Sequence, residues 1–330
     1  MHLALFSRRA DEYAAIAQFQ QSHPDIQLDV YDAPITEASI PLFAGVDALV
    51  ASQTLEIPTH VYAAMGEADI KVFATRSAGV DMYRKDLLAK YGIRLVNVPS
   101  YSPISIAEYA FTLGMMASRK IAPYIERRAE GHNFTWARDV MGRPMRRKTV
   151  GVVGAGRIGS RVAWLYSQIG ARVLAYDIAP TEAVARYATY TDTYEELLRH
   201  SDVVTFHVPA SPEVHHMLDA AAIALLPEGA VVVNTARGMV VDTEALLDAV
   251  DSGHLLGAAL DVYEFEGPII QNDQPPVDEL LQRVLDNPRV LYTPHTAFYT
   301  DEAVAALVAD AIEGAVEIVN GGRPDNEVDL

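Results

Sequence analysis

Arg237, Glu266 and His295 are the residues whose types and places most plainly suggest chemistry. Each stands a few residues beyond a short apolar run: Ala230–Asn234 before the arginine, Leu256–Leu260 before the glutamate and Val290–Thr293 before the histidine. In an open α/β sheet, ligands bind in the crevice at the carboxyl ends of the strands. The three types can divide a reaction among them. A planar guanidinium grips a carboxylate through two parallel hydrogen bonds. An imidazole moves a proton near neutral pH, and a carboxylate beside the ring orients it and favours its charged form. Taken singly, the arginine reads as a surface charge, the histidine as a satisfied core residue and the glutamate as a solvated loop. As a set they are what hydride transfer to a 2-keto acid needs beside a nicotinamide.

A nicotinamide carrier has its own signature in Thr149–Asp177, TVGVVGAGRIGSRVAWLYSQIGARVLAYD. An apolar run, Val150–Val153, meets Gly154-Ala155-Gly156-Arg157-Ile158-Gly159, and an amphipathic helix pattern and a second β-branched run follow. In such a strand–turn–helix–strand unit Gly154 allows the tight turn, Gly156 lets the backbone approach a pyrophosphate, and Gly159 lets helix and strand pack closely. The phosphates would sit on the free N–H groups at the positive end of the helix. Asp177, at the end of the second strand, is placed to accept hydrogen bonds from the adenosine ribose and would repel a 2′-phosphate. Ile178-Ala179-Pro180 offers that phosphate no cation. The expected cofactor is NAD rather than NADP.

The elements that must hold these residues divide the chain. At 330 residues it exceeds the usual limit of one core, so two domains are expected. Leu3–Phe6, Ile26–Val30, Ala48–Val50, Val72–Ala74 and Leu95–Val96 read as strands, with helices near Asp11–Gln21, Thr59–Gly66 and Tyr83–Tyr91. That alternation implies a parallel sheet covered on both faces. Its most informative loop is Arg76-Ser77-Ala78-Gly79-Val80-Asp81, which reads equally as a plain β–α turn or as a backbone approach to an anion. Pro99 and Pro103 then break the chain, and a mostly apolar helix runs to about Ser118, as at a domain boundary. Ala129–Lys148 reads as polar and irregular, its cluster of Arg143, Arg146, Arg147 and Lys148 as a solvated connector in preference to an anion site. Further on, Asp202–Val208 is a strand ended by Pro209, Ala220–Leu226 a helix, Thr243–Ser252 a helix stopped by Gly253, and a polar loop with Pro275-Pro276 precedes Val290. Asp301–Asn320 closes the pattern as an apolar helix.

The net charge of −18 argues against nucleic acid or an anionic membrane as partner. The absence of cysteine removes disulfides, thiolate metal sites and thiol nucleophiles. His215-His216 reads as a surface pair at a helix end, so no metal is expected. The first nine residues run in the reverse order of a signal peptide and no apolar stretch is long enough to span a membrane, so a cytosolic protein is expected.

On GVVGAGRIG with Asp177, NTARGMVVD, GAALDVYEFE and TPHTAFYT, in this order, the sequence resembles the D-isomer-specific 2-hydroxyacid dehydrogenase family over essentially its whole length. RSAGVD, PSYSPISIAEYA and the run His295–Thr300 are most similar to the fermentative D-lactate branch. The resemblance implies an α/β protein of two doubly wound parallel-sheet domains, a Rossmann NAD domain at 101–298 inserted in a flavodoxin-like substrate domain at 1–100 and 299–330. It implies that Arg237 binds the substrate carboxylate with the N–H groups of Ala78 and Gly79, that His295 is the general acid, and that Glu266 keeps it protonated. Tyr101 would close over the substrate while Phe298 and Tyr299 wall the pocket. Arg157 and Ile158 would flank the pyrophosphate, His207, Val208 and Pro209 the adenosine side, and Thr235, Ala236 and Asp261 the nicotinamide. It further implies a homodimer formed through the helix from Ser105 to Ser118 and the connector holding Trp136, and a cleft that closes on the bound substrate. The expected reaction is reduction of pyruvate to D-lactate. A second reading takes larger keto acids, as in D-2-hydroxyisocaproate or phenyllactate dehydrogenases, and a third, from another class, is an NAD-sensing scaffold.

Overall fold

A computed structural model of the chain describes residues 1–53, 55–131, 134–136, 141–270 and 272–330. The chain divides into two compact units, Met1–Ser102 with Tyr299–Leu330, and Pro103–Phe298.

The first unit is built on strands β1 (His2–Leu5), β2 (Gln27–Val30), β3 (Ala48–Ala51), β4 (Val72–Thr75) and β5 (Arg94–Val96). They lie parallel in the order β2-β1-β3-β4-β5, the flavodoxin-like arrangement. Every residue of β3 and β4 is buried, which is why both read as continuous apolar runs and not as alternating ones. The expected parallel sheet is extended at one edge, where Glu327–Val328 adds a short antiparallel strand beside β5. That two-residue piece carries no apolar run to announce it. An ion pair joins Arg94 to Glu327 at 2.5 Å and fixes its place. Helix Asp301–Val319 starts on an N-cap, Thr300 Oγ1 accepting from Ala303 N–H, and buries Ala303, Leu307, Val308, Ala311, Ile312, Ala315 and Ile318. This face, repeating every third and fourth residue, covers β3, β4 and β5.

Arg76 does not face a ligand. It is 1% exposed, and its guanidinium bonds both oxygens of the buried Glu12 and the carbonyls of Phe6 and Ser7. Burial pulls its pKa down against the pull of Glu12. The pair is structural, and each partner satisfies the other's charge.

The second unit holds β6 (Thr149–Val153), β7 (Arg172–Tyr176), β8 (Thr189–Tyr190), β9 (Val203–Phe206), β10 (Ala230–Asn234), β11 (Leu255–Leu260) and β12 (Val290–Tyr292). The order is β8-β7-β6-β9-β10-β11-β12, all parallel, the doubly wound Rossmann order with its switch point between β6 and β9. Four local readings change here. The stretch read as irregular from Ala129 begins inside a helix, Ile121–Gly131, and ends in a 3-10 turn, Met145–Arg147; part of it lies outside the described residues. Its basic cluster is not all solvated: Lys148 is 5% exposed and burial lowers its pKa. The polar loop before β12 contains a helix, Glu279–Asp286, started by the Asp278 side chain on Leu281 N–H at 2.7 Å. The helix expected over Ala220–Leu226 spans only Ala220–Ile223.

Candidate active site

Within the second unit, β10, β11 and β12 are neighbours, and Asn234, Leu260 and Tyr292 lie in register across them. The segments that continue from these three residues carry Arg237, Glu266 and His295.

The turn after β10 is held by Asn234. Its amide donates to the Arg237 carbonyl at 2.9 Å and accepts from Ala236 N–H at 3.0 Å. Arg237 is half-buried, and its guanidinium donates to the Ala236 carbonyl at 2.8 Å. Gly238 then lies so close to the backbone of Tyr263 and Glu264 that any Cβ there would collide with it. The arginine turn and the glutamate loop are thus stacked backbone against backbone.

Both oxygens of Glu266 are committed. Oε2 accepts the N–H of Tyr263 at 3.0 Å, a closed local loop, and Oε1 meets Nδ1 of His295 at 2.9 Å. The side chains are 16% and 29% exposed, so the pair is screened from bulk water without being sealed. Among the described residues Nε2 of His295 has no partner. The imidazole is oriented from one nitrogen and presents the other.

His295 has φ of 56°, a left-handed backbone that histidine adopts seldom. Asp261 stabilises it. This carboxylate, 0% exposed, accepts from Thr293 Oγ1 at 2.6 Å, Thr296 N–H at 2.9 Å and Ala297 N–H at 2.8 Å, while the Asp261 carbonyl accepts from His295 N–H at 2.7 Å. Burial raises the carboxyl of Asp261, and its donors and His295 oppose the rise. The side chain expected to face nicotinamide is spent on shaping the histidine loop. Beside it the Tyr292 hydroxyl is buried without a partner among the described residues, pushed up to about 12 by burial and then by Glu266 and Asp261.

The glycine loop fits a dinucleotide. Gly154 has φ of 84°, and a Cβ there would crowd the His207 carbonyl at 2.7 Å and Val208 at 3.0 Å. A Cβ at Gly159 would strike the Gly154 carbonyl, whereas one at Gly156 would meet nothing within 4 Å. The outer face of Gly156 is therefore open to a ligand. Among the described residues the N–H groups of Gly156, Arg157 and Ile158 have no acceptor, and they precede helix Gly159–Gln168. Asp177 follows β7 with its oxygens on Ala155 N–H at 2.6 Å and Ala179 N–H at 2.8 Å, which fixes the carboxylate beside the glycine loop. His207 has Nε2 on Thr205 Oγ1 at 2.9 Å and Nδ1 buried without a partner, and burial pushes it down to about 3. Pro209 follows Val208 on the same loop, exposed, and the Thr235 hydroxyl is buried and unpartnered among the described residues.

Residues 111–297 match the model of the D-isomer specific 2-hydroxyacid dehydrogenase NAD-binding domain. The chain belongs to the D-isomer-specific 2-hydroxyacid dehydrogenase family. Residues 111–297 of this dehydrogenase are its NAD-binding domain. Over its whole length it is 40% identical to a D-lactate dehydrogenase of Treponema pallidum, all of which it covers. Its fold superposes on the crystal structure of a Treponema pallidum D-lactate dehydrogenase with a TM-score of 0.93 at 39% identity, covering all of both chains. On the NAD-complexed D-isomer specific 2-hydroxyacid dehydrogenase of Lactobacillus delbrueckii ssp. bulgaricus the values are 0.89 and 30%, again over all of both. A D-2-hydroxyisocaproate dehydrogenase structure matches at 0.91 and 31%, over 99% of each chain.

In the first unit of the dehydrogenase, the loop after β4 has its carbonyls occupied. Ser77 accepts from Val98 N–H at 2.9 Å, Ala78 from the Asn97 side chain at 2.7 Å and Gly79 from Ser77 Oγ at 2.7 Å. Among the described residues the N–H groups of Ala78 and Gly79 have no acceptor. Tyr101 is half-buried, and Tyr299 is 52% exposed with its hydroxyl bonded to Asp11. Phe298 is half-buried at the end of the second unit. Asn234 and the shaping role of Asp261 escaped the sequence reading. An asparagine ending an apolar run is the one signal that was present, since its side chain commonly caps the turn that follows.

Proposed function

We propose that this dehydrogenase reduces pyruvate to D-lactate with NADH, and that Arg237, Glu266 and His295 carry the reaction. The observation that supports this most is the Glu266–His295 pair, engaged through Nδ1 with Nε2 left for substrate. Arg237 holds the substrate carboxylate by its two-pronged fork. The bound nicotinamide supplies hydride to the keto carbon. His295 passes the proton on Nε2 to the carbonyl oxygen as that oxygen takes up charge, and is left as neutral imidazole. Glu266 holds the ring in line throughout. Thr235 and Ala236 line the nicotinamide side, and Phe298 shuts water from the substrate.

The test is steady-state oxidation of NADH with a panel of pyruvate, 2-ketoisocaproate and phenylpyruvate, repeated with NADPH. Pyruvate with NADH is expected to give the highest kcat/KM. No turnover with any keto acid would overturn the reading and leave a binding role. Preference for 2-ketoisocaproate would replace pyruvate by the substrate class of the D-2-hydroxyisocaproate relative. We also propose that the protein works as a homodimer in the cytosol. The stretch from Ile121 to Met141 supports the first part, with Ile125 51%, Phe134 75%, Trp136 96% and Met141 67% exposed. A chain without cysteine draws nothing from an oxidising compartment, which is in keeping with the second. Among the described residues no helix is long and apolar enough to cross a membrane.

A further inference from the structure

His215 and His216 do not form the surface pair that their sequence suggests. His215 is exposed and stacks on its neighbour at 4.1 Å, but the half-buried ring of His216 is tied to a neighbouring loop, with Nε2 on Glu264 Oε1 at 2.5 Å. The other oxygen of Glu264, a side chain only 11% exposed, accepts Thr243 N–H at 3.0 Å, at the start of helix Thr243–Asp251. Nδ1 of His216 lies 3.9 Å from Asp242. The backbone of His216 is held as firmly. It has φ of 48°, its N–H donates to the Met239 carbonyl at 2.8 Å, and Leu218 exchanges hydrogen bonds with Val240 and Asp242 at 3.0 and 3.1 Å. Met239 lies just beyond Arg237, and Glu264 just before Glu266.

We propose that His216 is a positioning residue for the dehydrogenase reaction, fastening the turn that carries Arg237 to the loop that carries Glu266. Its main chain grips the first and its ring the second. Gly238 stacked on the Tyr263–Glu264 peptide brings the two segments into contact, and the His216–Glu264 bond sets their register. A left-handed backbone at a non-glycine residue costs free energy and persists only where its surroundings over-determine it. Here the surroundings are two loops that serve the reaction. The role proposed for His216 runs through Met239 and Glu264 and needs no contact with substrate or cofactor, so its loss should loosen the carboxylate clamp and misplace the Glu266–His295 pair while leaving the glycine loop intact.

The inference rests on the proposed roles of Arg237 and Glu266, and the two can fail separately. His216→Phe keeps a ring of similar size and removes the nitrogen. It is expected to lower kcat for pyruvate about tenfold and to raise KM for pyruvate, with the Kd of NADH within about threefold of the parent. His216→Gln, which can still reach Glu264, should recover most of the loss. Glu264→Ala is the deciding variant if His216→Phe folds poorly, and should show the same split between pyruvate and NADH. Unchanged kcat and KM in the variant that decides, or a Gln variant as impaired as Phe, would overturn the positioning role and leave the proposed function standing. A parent protein that turns over no keto acid would overturn both.

Discussion

In the proposed site Arg237 serves by shape as much as by charge. A lysine at position 237 would keep the positive charge and lose the planar fork that meets a carboxylate through two bonds. Arg237→Lys should therefore lower kcat/KM for pyruvate about a hundredfold, a loss of ~2.7 kcal/mol, with NADH binding unchanged by fluorescence titration; an unaltered kcat/KM would argue against the clamp. A second residue-scale expectation concerns His207. Its pKa is pushed down to about 3 from the 6.5 of a free side chain by burial of the ring. Between those values the unfolded chain binds a proton that the native ring refuses, so stability is full above pH 6.5 and falls as pH drops through this window. The slope is at most ~1.4 kcal/mol per pH unit. The melting temperature of the wild type should fall more steeply between pH 6.5 and 4.5 than that of His207→Gln, and parallel curves would refute it. The places of Arg237, Glu266 and His295 beyond neighbouring strands were legible because each type follows an apolar run. The partners that hold them were not. Asn234, the shaping carboxylate of Asp261 and the His216–Glu264 bond depend on which loops neighbouring strands bring together, and spacing along one chain does not carry that information.

At the scale of elements, the strand-to-helix turn after β6 has least room for change. A methyl group at Gly159 would strike the Gly154 carbonyl, so Gly159→Ala must push the helix off the strand that it packs against. Such overpacking costs about 1–3 kcal/mol. It should also weaken NADH binding more than tenfold by calorimetry, because the free N–H groups of Gly156, Arg157 and Ile158 sit on the displaced segment. An alanine variant that binds NADH as the parent does would show that the close approach is unimportant. Elements were legible from sequence where one apolar pattern held, continuous in β9 and β10 and helical in Asp301–Val319. Helix Glu279–Asp286 was hidden behind a proline-rich stretch, although Asp278 is an ordinary N-cap. Helix Ile121–Gly131 was hidden by its polar composition and by Pro123, which the first turn tolerates. The strand Glu327–Val328 is too short to have a period at all.

For the whole molecule, the apolar side chains exposed between Ile121 and Met141 predict self-association. Light scattering should give a mass twice the 36.0 kDa of the chain, and Trp136→Asp should shift it towards a single chain; a parent protein that stays single at micromolar concentration would remove the dimer from the proposal. The two-unit layout was legible in the sequence as two runs of alternating strands and helices. The insertion of one in the other entered through the family resemblance, because nothing in the local pattern of Asp301–Val319 says which sheet it covers. That helix buries its apolar face on β3, β4 and β5, strands that precede it by the full length of the second unit. A chain growing from its amino end therefore has the whole of Pro103–Phe298 in hand before Asp301–Val319 exists. The unit begun first is the last to be completed, and its sheet must wait with one face uncovered while the dinucleotide-binding unit is already free to fold.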